Sequence, residues 1–182
     1  MSLVTYTELL GFIDQGVLTN ARSELVNASS IDVELGPIIW TESTRSGTID
    51  LAKKETPRMM RHDMGGTGDQ YALAPGEFIL AQTRQMFFLP DDISAEFRLK
   101  SSGARAGLDQ ALAVWCDPGW NSSVLTLELR NNLRYSRLLL TVGMKIGQMV
   151  FHRGESVPPE HSYAVVGQYN GDVETQPSRG VR

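Results

Sequence analysis

Nine residues, KSSGARAGL from Lys100 to Leu108, set two hydroxyls, two glycines and two cations between apolar stretches. That composition suits an anion site, because hydroxyls, backbone N–H groups and a forked guanidinium can together hold phosphate and a developing charge. Chemistry at such a site needs a proton-transfer group, and the segment SVLTLELRN offers one in Glu128. Its alternation puts Val124, Thr126, Glu128 and Arg130 on one strand face and Leu125, Leu127 and Leu129 on the other. Two outcomes are open. With the leucines in the core, Glu128 faces water, where a carboxylate costs nothing. Against a cleft or a neighbouring subunit it is partly desolvated, its pKa rises, and it can move protons near neutral pH.

Other chemistries fail on residue type. Zinc-dependent deaminases need H-x-E and P-C-x-x-C elements. This chain has one cysteine and three scattered histidines, His62, His152 and His161, none at ligand spacing. Cys116 has no histidine placed by sequence to activate it and reads as a small buried hydrophobe. There is no P-loop, no G-x-G-x-x-G fingerprint, and no base to pair with Ser101 or Ser102 in a triad.

These residues must be positioned by short elements. Near the N-terminus, Thr5 precedes Glu8 at capping-box spacing, and Leu9, Leu10, Ile13 and Val17 share a face, predicting a short helix ending near Gly16. SSIDVELG alternates Ile31, Val33 and Leu35 against Asp32 and Glu34, the period of a half-buried strand. YALAPGEFILAQT reads as two strands, or one bent strand, joined at Pro75-Gly76. RLLLTVGMKIGQMVFHR reads as a hairpin turning near Val142-Gly143-Met144. Residues 52–70 are polar, glycine-rich and mixed in charge, a long excursion within the domain, and the tail from Gly167 should be mobile unless something orders it. Many short strands with one helix point to a mainly β barrel or sandwich.

The 182 residues suit one domain and can bury a core without staples. A net charge of −4 gives no global attraction to nucleic acid or anionic membrane, so any anion site must be local. One cysteine excludes an intrachain disulfide, and neither a signal peptide nor an apolar run of membrane length is legible. The expectation is a cytoplasmic protein with no nucleic-acid or membrane partner.

Six segments, NASSIDVELG, YALAPGEFILAQT, KSSGARAGL, DPGW followed by LTLELRN, GMKIGQMVF and YNGDVETQPSR, stand in the order of one family. Together they resemble the dCTP deaminases of the dUTPase-like superfamily. The resemblance covers nearly the whole chain and is weakest at 52–70. It implies a distorted jelly-roll β fold assembled as a homotrimer, with active sites between subunits, and zinc-independent deamination of dCTP. Its general acid/base falls on Glu128, which takes a proton from water and gives one to the ring nitrogen. A dUTPase carries an apolar residue there. The resemblance further implies that Ser101 positions water, that Ser102 and Lys100 meet phosphate, and that Arg105 lies near the base and Glu128. Gly103 and Ala104 belong to the same substrate-binding loop. Asp117 falls near the sugar, and the backbone of Ala113-Val114 near the pyrimidine. Thr126, Leu127 and Gln148 line the base and sugar pocket, Tyr163 lies further out, and Asp172 belongs to the phosphate-binding tail. A subunit-interface salt bridge is the other reading of Arg105, and a solvated strand residue that of Gln148. Magnesium is expected only with the triphosphate, on phosphate oxygens and water.

Four departures stand out. The phosphate loop begins with Lys100 where the family often has Arg, losing a bidentate grip; lysine also occurs in the branch that carries dCTP through to dUMP. That branch tends to carry a His before the strand toward its Asp, and the nearest counterpart here is Gln110. Asp117 sits one residue closer to Arg105 than usual, with bulkier Val114 and Trp115 beside it, so the slip either reverses which side chains face the ligand or is absorbed by a bulge. The tail reads Gln168-Tyr169-Asn170-Gly171-Asp172 where the family has Lys-Tyr-x-Gly-Gln, so a cation becomes neutral and a phosphate donor becomes an acid; either Arg179 or Arg182 compensates, or the preferred ligand is not a standard nucleoside triphosphate. Gly103 replaces a leucine, which should loosen packing under the loop. The leading expectation is deamination of dCTP, or of a modified cytosine nucleotide, to the deoxyuridine triphosphate and ammonia. The runner-up is a bifunctional enzyme forming dUMP and pyrophosphate, or a dUTPase, which Lys100, Asp117 and Gln148 suit. The third is a nucleotide-binding trimer without turnover.

Overall fold

The computed structural model describes residues 2–43 and 47–181. Thirteen strands and three short α-helices follow in order among these residues: β1 (Ser2–Leu3), α1 (Tyr6–Asp14), β2 (Leu18–Thr19), β3 (Ile31–Glu34), β4 (Ile38–Glu42), β5 (Met59–Asp63), β6 (Gln70–Leu73), β7 (Phe78–Phe88), β8 (Ile93–Leu99), α2 (Ser101–Arg105), β9 (Leu108–Gln110), β10 (Trp115–Cys116), β11 (Asn121–Asn131), β12 (Leu138–Thr141), β13 (Lys145–Arg153) and α3 (Tyr163–Val166). One sheet runs β1-β13-β8-β10, with β3 also on β13; a second runs β5-β4-β7-β11-β9, with β2 also on β7; β12 and β6 form a separate pair. Every pairing is antiparallel, as a mainly β jelly-roll requires.

The core holds Leu9 and Phe12 of α1, Phe87 of β7, Phe97 of β8, the three leucines of β11 and Phe151 of β13. Burying these side chains supplies the main driving force, at about 1.5–3 kcal/mol each before the entropy of ordering them. Phe12 meets Phe151 edge to face at 5.4 Å, which seats the helix on β13. No helix among the described residues is long and apolar enough to cross a membrane.

Several expectations need correction. The capping box does not form: the Thr5 side chain makes no cap, and Glu8 instead accepts from Arg153, tying α1 to the end of β13. β3 is buried on both faces, because its polar side meets fixed charges. Asp32 accepts from Lys100 at 2.6 Å and pairs with Lys145 at 3.0 Å, while Glu34 accepts from Arg22 at 2.7 Å. Burial works to raise both carboxyl pKa values, but their cationic and amide partners outweigh it and hold both below the ordinary range. The chain does turn at Val142-Gly143-Met144, with Gly143 at φ +88°, yet β12 and β13 pair with different partners, so the turn passes between sheets instead of closing a hairpin. β6 and β7 likewise separate after Pro75-Gly76. Within the polar excursion, β5 pairs along β4 from Ile38–Asp63 to Glu42–Met59, an edge strand whose alternation is too polar to be legible.

Candidate active site

β7 and β11 pair through much of their length, and the face they share with Glu128 floors a cavity of about 620 Å³. Phe78, Leu80, Val124 and Thr126 floor it; residues 112–117 form one wall; Tyr163, Tyr169, Asp172, Gln176 and Ser178 form the other. The alternation of LTLEL therefore resolves in favour of the cleft. Leu127 and Leu129 are fully buried in the core, so Leu127 offers this cavity no side chain, and Glu128 points the other way.

Two register shifts interrupt the β7–β11 ladder, between Asn121 and Ser123 and between Val124 and Thr126. Ser122 lies within the first, with φ +53°. A bulge thus stands where the sequence places an extra residue between Asp117 and Glu128, and strand polarity is recovered before Thr126. Thr83 Oγ1 accepts from the Leu125 backbone N–H at 2.9 Å, replacing ladder bonding at the second irregularity.

Burial raises the Glu128 pKa to about 7; a hydrogen bond from Gln110 Nε2 to Glu128 Oε2, 2.5 Å long, opposes part of that rise. Gln110 also donates to the Ala111 carbonyl at 3.1 Å. A carboxyl group half-ionised near pH 7 in an apolar cavity can accept a proton from water and return it to a bound base. Cys116, buried in the adjoining wall, is pushed well above the ordinary thiol range by burial and by the charges of Asp117 and Glu128, so it cannot serve as a thiolate nucleophile at neutral pH.

Asp117 lines the cavity and accepts from Trp115 Nε1 at 3.0 Å; Trp115 in turn stacks on His152 at 5.9 Å. Gly119, at φ +83°, lets the chain turn just after Asp117, where any Cβ would strike Ser162 and Asp91.

Hydrogen bonds tie the tail to the strands over residues 169–175. Trp120 Nε1 donates to the Tyr169 carbonyl at 2.7 Å, the Val124 N–H to the Asp172 carbonyl at 2.9 Å, and Trp40 Nε1 to the Thr175 carbonyl at 2.8 Å. Thr175 is fully buried, with its hydroxyl 2.9 Å from that of Thr126. Arg179 pairs with Asp172 at 2.5 Å, bonds the Gln168 carbonyl and lies 5.1 Å over the Tyr169 ring. The acid by which this tail departs from the family pattern, Asp172, is thus paired with Arg179, one of the two arginines expected to compensate; Arg182 lies outside the described residues.

The chain brings together Glu128, Thr126, Asp117, Tyr163 and Asp172, with the backbone of Ala113-Val114 in the wall. It does not bring the loop expected to meet phosphate to them. Lys100, Ser101, Ser102, Gly103, Ala104 and Arg105 lie outside the cavity lining, as does Gln148, which accepts from Ser30 at 3.1 Å. Ser101, Ser102 and Arg105 are exposed, and Arg105 has no ion-pair partner among the described residues. Gly103 has room beside it: an added Cβ would meet only Leu108 Cδ2, at 3.9 Å, an ordinary contact. Among the lining residues that sequence reading missed are Met59, Phe78 and Leu80, because only the β5–β4–β7–β11 order brings them to the face that carries Glu128.

Comparison with known proteins follows this geometry. A family model described as dCTP deaminase-like matches residues 4–154. A "dCTP deaminase, dUMP-forming" of Acidothermus cellulolyticus is 39% identical over 160 residues, 85% of this chain and 82% of that protein. One from Mycobacterium avium is 38% identical over 163 residues, with 85% and 82% covered. The solved 2'-deoxycytidine 5'-triphosphate deaminase of Agrobacterium tumefaciens matches at a TM-score of 0.64 and 18% identity over 87% of this chain. That match spans half the length of the solved chain and shows a shared fold.

Proposed function

Since the chain belongs to the dCTP deaminase family, we propose that it converts dCTP and two waters to dUMP, ammonia and pyrophosphate. Release of dUTP, the leading expectation from sequence, gives way to the dUMP-forming alternative because the relatives at 36–39% identity carry that name. The observation that carries the reading is Glu128, a carboxyl raised to about 7 in a cavity large enough for a nucleoside.

In the first step Glu128 accepts a proton from water as the oxygen adds to C4 of the cytosine. It passes that proton to N3; a second transfer through the same carboxylate carries the proton of the new C4 hydroxyl to the amino group, and the C4–N bond breaks as ammonia leaves and the C4 carbonyl forms. The second hydrolysis needs a base near the α-phosphate. Asp172 is paired to Arg179 and Glu128 serves the ring, which leaves Asp117 as the cavity carboxylate for that step. Ser101, Ser102 and Arg105 complete the site from a neighbouring copy in a homotrimer, with Lys100 beside them held by Asp32; the exposure of the first three, and their place outside the cavity lining of their own chain, support that arrangement. Among the described residues no three His, Cys, Asp or Glu side chains gather at metal-binding distance. Magnesium would arrive on phosphate oxygens and water as part of the substrate.

The test is product analysis of Glu128→Gln on dCTP. Deamination should fall by about 10²–10⁴-fold, with substrate still protecting the protein against thermal unfolding. Wild-type rates in that variant would refute the assignment.

A further inference from the structure

Gln110 ends β9 and pairs with Leu129, and the next N–H, of Ala111, donates to the Glu128 carbonyl at 3.0 Å. The amide is thus fixed by the ladder that carries Glu128 and is itself buried. Its two ends are treated very differently. Nε2 meets two acceptors, the Glu128 carboxylate and the Ala111 carbonyl, whereas Oε1 is buried without a partner among the described residues.

We propose that Gln110 is a positioning residue for the reaction, its amide locked by the Ala111 carbonyl so that only a donor faces the Glu128 carboxylate. A flip would set Oε1 against the Ala111 carbonyl, so the amide cannot follow Glu128 into its protonated form by rotating. An unpaired buried acceptor is costly, and here the fold bears that cost beside the group that must ionise. A fixed donor stabilises the ionised carboxylate, the form that takes a proton from water. Burial then pushes one way and Gln110 the other, leaving Glu128 poised near neutrality.

Other groups do not supply this donor. The neighbouring wall presents Cys116 and Asp117, and the tail presents Tyr163, Tyr169 and Asp172, the last bound to Arg179. β7 offers uncharged Phe78 and Leu80, and the cross-strand pair on β9 and β11 is Asp109 and Arg130. Gln110 is the described side chain that donates to the Glu128 carboxylate.

The inference rests on the reading of Glu128 as the proton-transfer group, so the experiment separates the two. Carbon-13 NMR titration of the glutamate carboxyls, with Glu128 assigned by its loss in Glu128→Gln, would be run on wild type and Gln110→Met without substrate. The Glu128 midpoint should rise by about one pH unit in Gln110→Met, the size expected for losing a charge-assisted hydrogen bond. Should that variant not fold, Gln110→Asn, one methylene too short to reach, carries the same expectation. A midpoint unchanged within about 0.3 unit overturns the proposal. The acid limb of kcat/KM, measured on the same variants, should move with the midpoint. If the midpoint moves and the limb does not, the positioning by Gln110 stands and the role of Glu128 as base is what fails.

Discussion

Ionising Glu128 inside an apolar cavity costs the folded chain free energy that the unfolded chain does not spend. Between the usual 4.5 and about 7 the folded protein keeps a proton that the unfolded chain has released. The sign follows: stability falls as pH rises through that window. Glu128→Gln should therefore be more stable than wild type at pH 8, by about 1–2 kcal/mol once partial solvent access is allowed for, and no more stable at pH 4.5. Thermal melts at the two pH values check this; equal differences at both would show that burial is not the cause. At the same scale, Asp117→Asn should slow loss of pyrophosphate more than deamination, so that dUTP accumulates from dCTP on chromatography. Equal slowing of both steps would remove Asp117 from the second hydrolysis. Glu128 was legible because strand alternation singles it out among leucines. Its partner Gln110 was legible only as a substitution, since strand pairing, not spacing, brings it within 2.5 Å.

Elements fix where charge can be buried. Asp32 on β3 is tolerated at 2% exposure because β13 and the end of β8 bring Lys145 and Lys100 to its two oxygens. Asp32→Asn should cost about 2 kcal/mol in urea denaturation at pH 7, less than a fully buried ion pair because both lysines remain partly exposed. The Asp32 pKa is lowered, so its contribution is full above the usual 3.8 and is lost as pH falls through the folded value; the gap between variant and wild type should narrow in that acid range. The sequence pattern of β3 was legible as a strand but not as buried on both faces, because Asp32 on its polar side is neutralised by Lys100 and Lys145, 68 and 113 positions away. The tail obeys the same logic. Asp172→Gln frees Arg179 and removes a negative charge from the cavity wall, so KM for dCTP should fall several-fold with kcat little changed. A higher KM would mean that the Arg179–Asp172 pair itself shapes the site.

At the scale of the molecule, alternation and turn residues made the mainly β class legible, while the pairing of β12 with β6 and of β13 with β8 depends on contacts between distant segments. The same limit applies to the site: one chain places Glu128 and Asp117 in a cavity and leaves the loop at 100–105 outside it. A trimer of about 60 kDa, three times 20.1 kDa, is expected by light scattering. Mixing inactive Glu128→Gln with inactive Arg105→Ala after dissociation should restore about a quarter of the sites, those pairing an intact Glu128 with an intact Arg105 across an interface. No recovery would place both residues in one chain's site. The most direct measurement of the account is the product of dCTP, incubated with the purified protein and Mg²⁺ and resolved by chromatography with ammonia and pyrophosphate assayed together. The account predicts dUMP, ammonia and pyrophosphate in equal amounts; dUTP with ammonia and no pyrophosphate, or no ammonia at all, would contradict it.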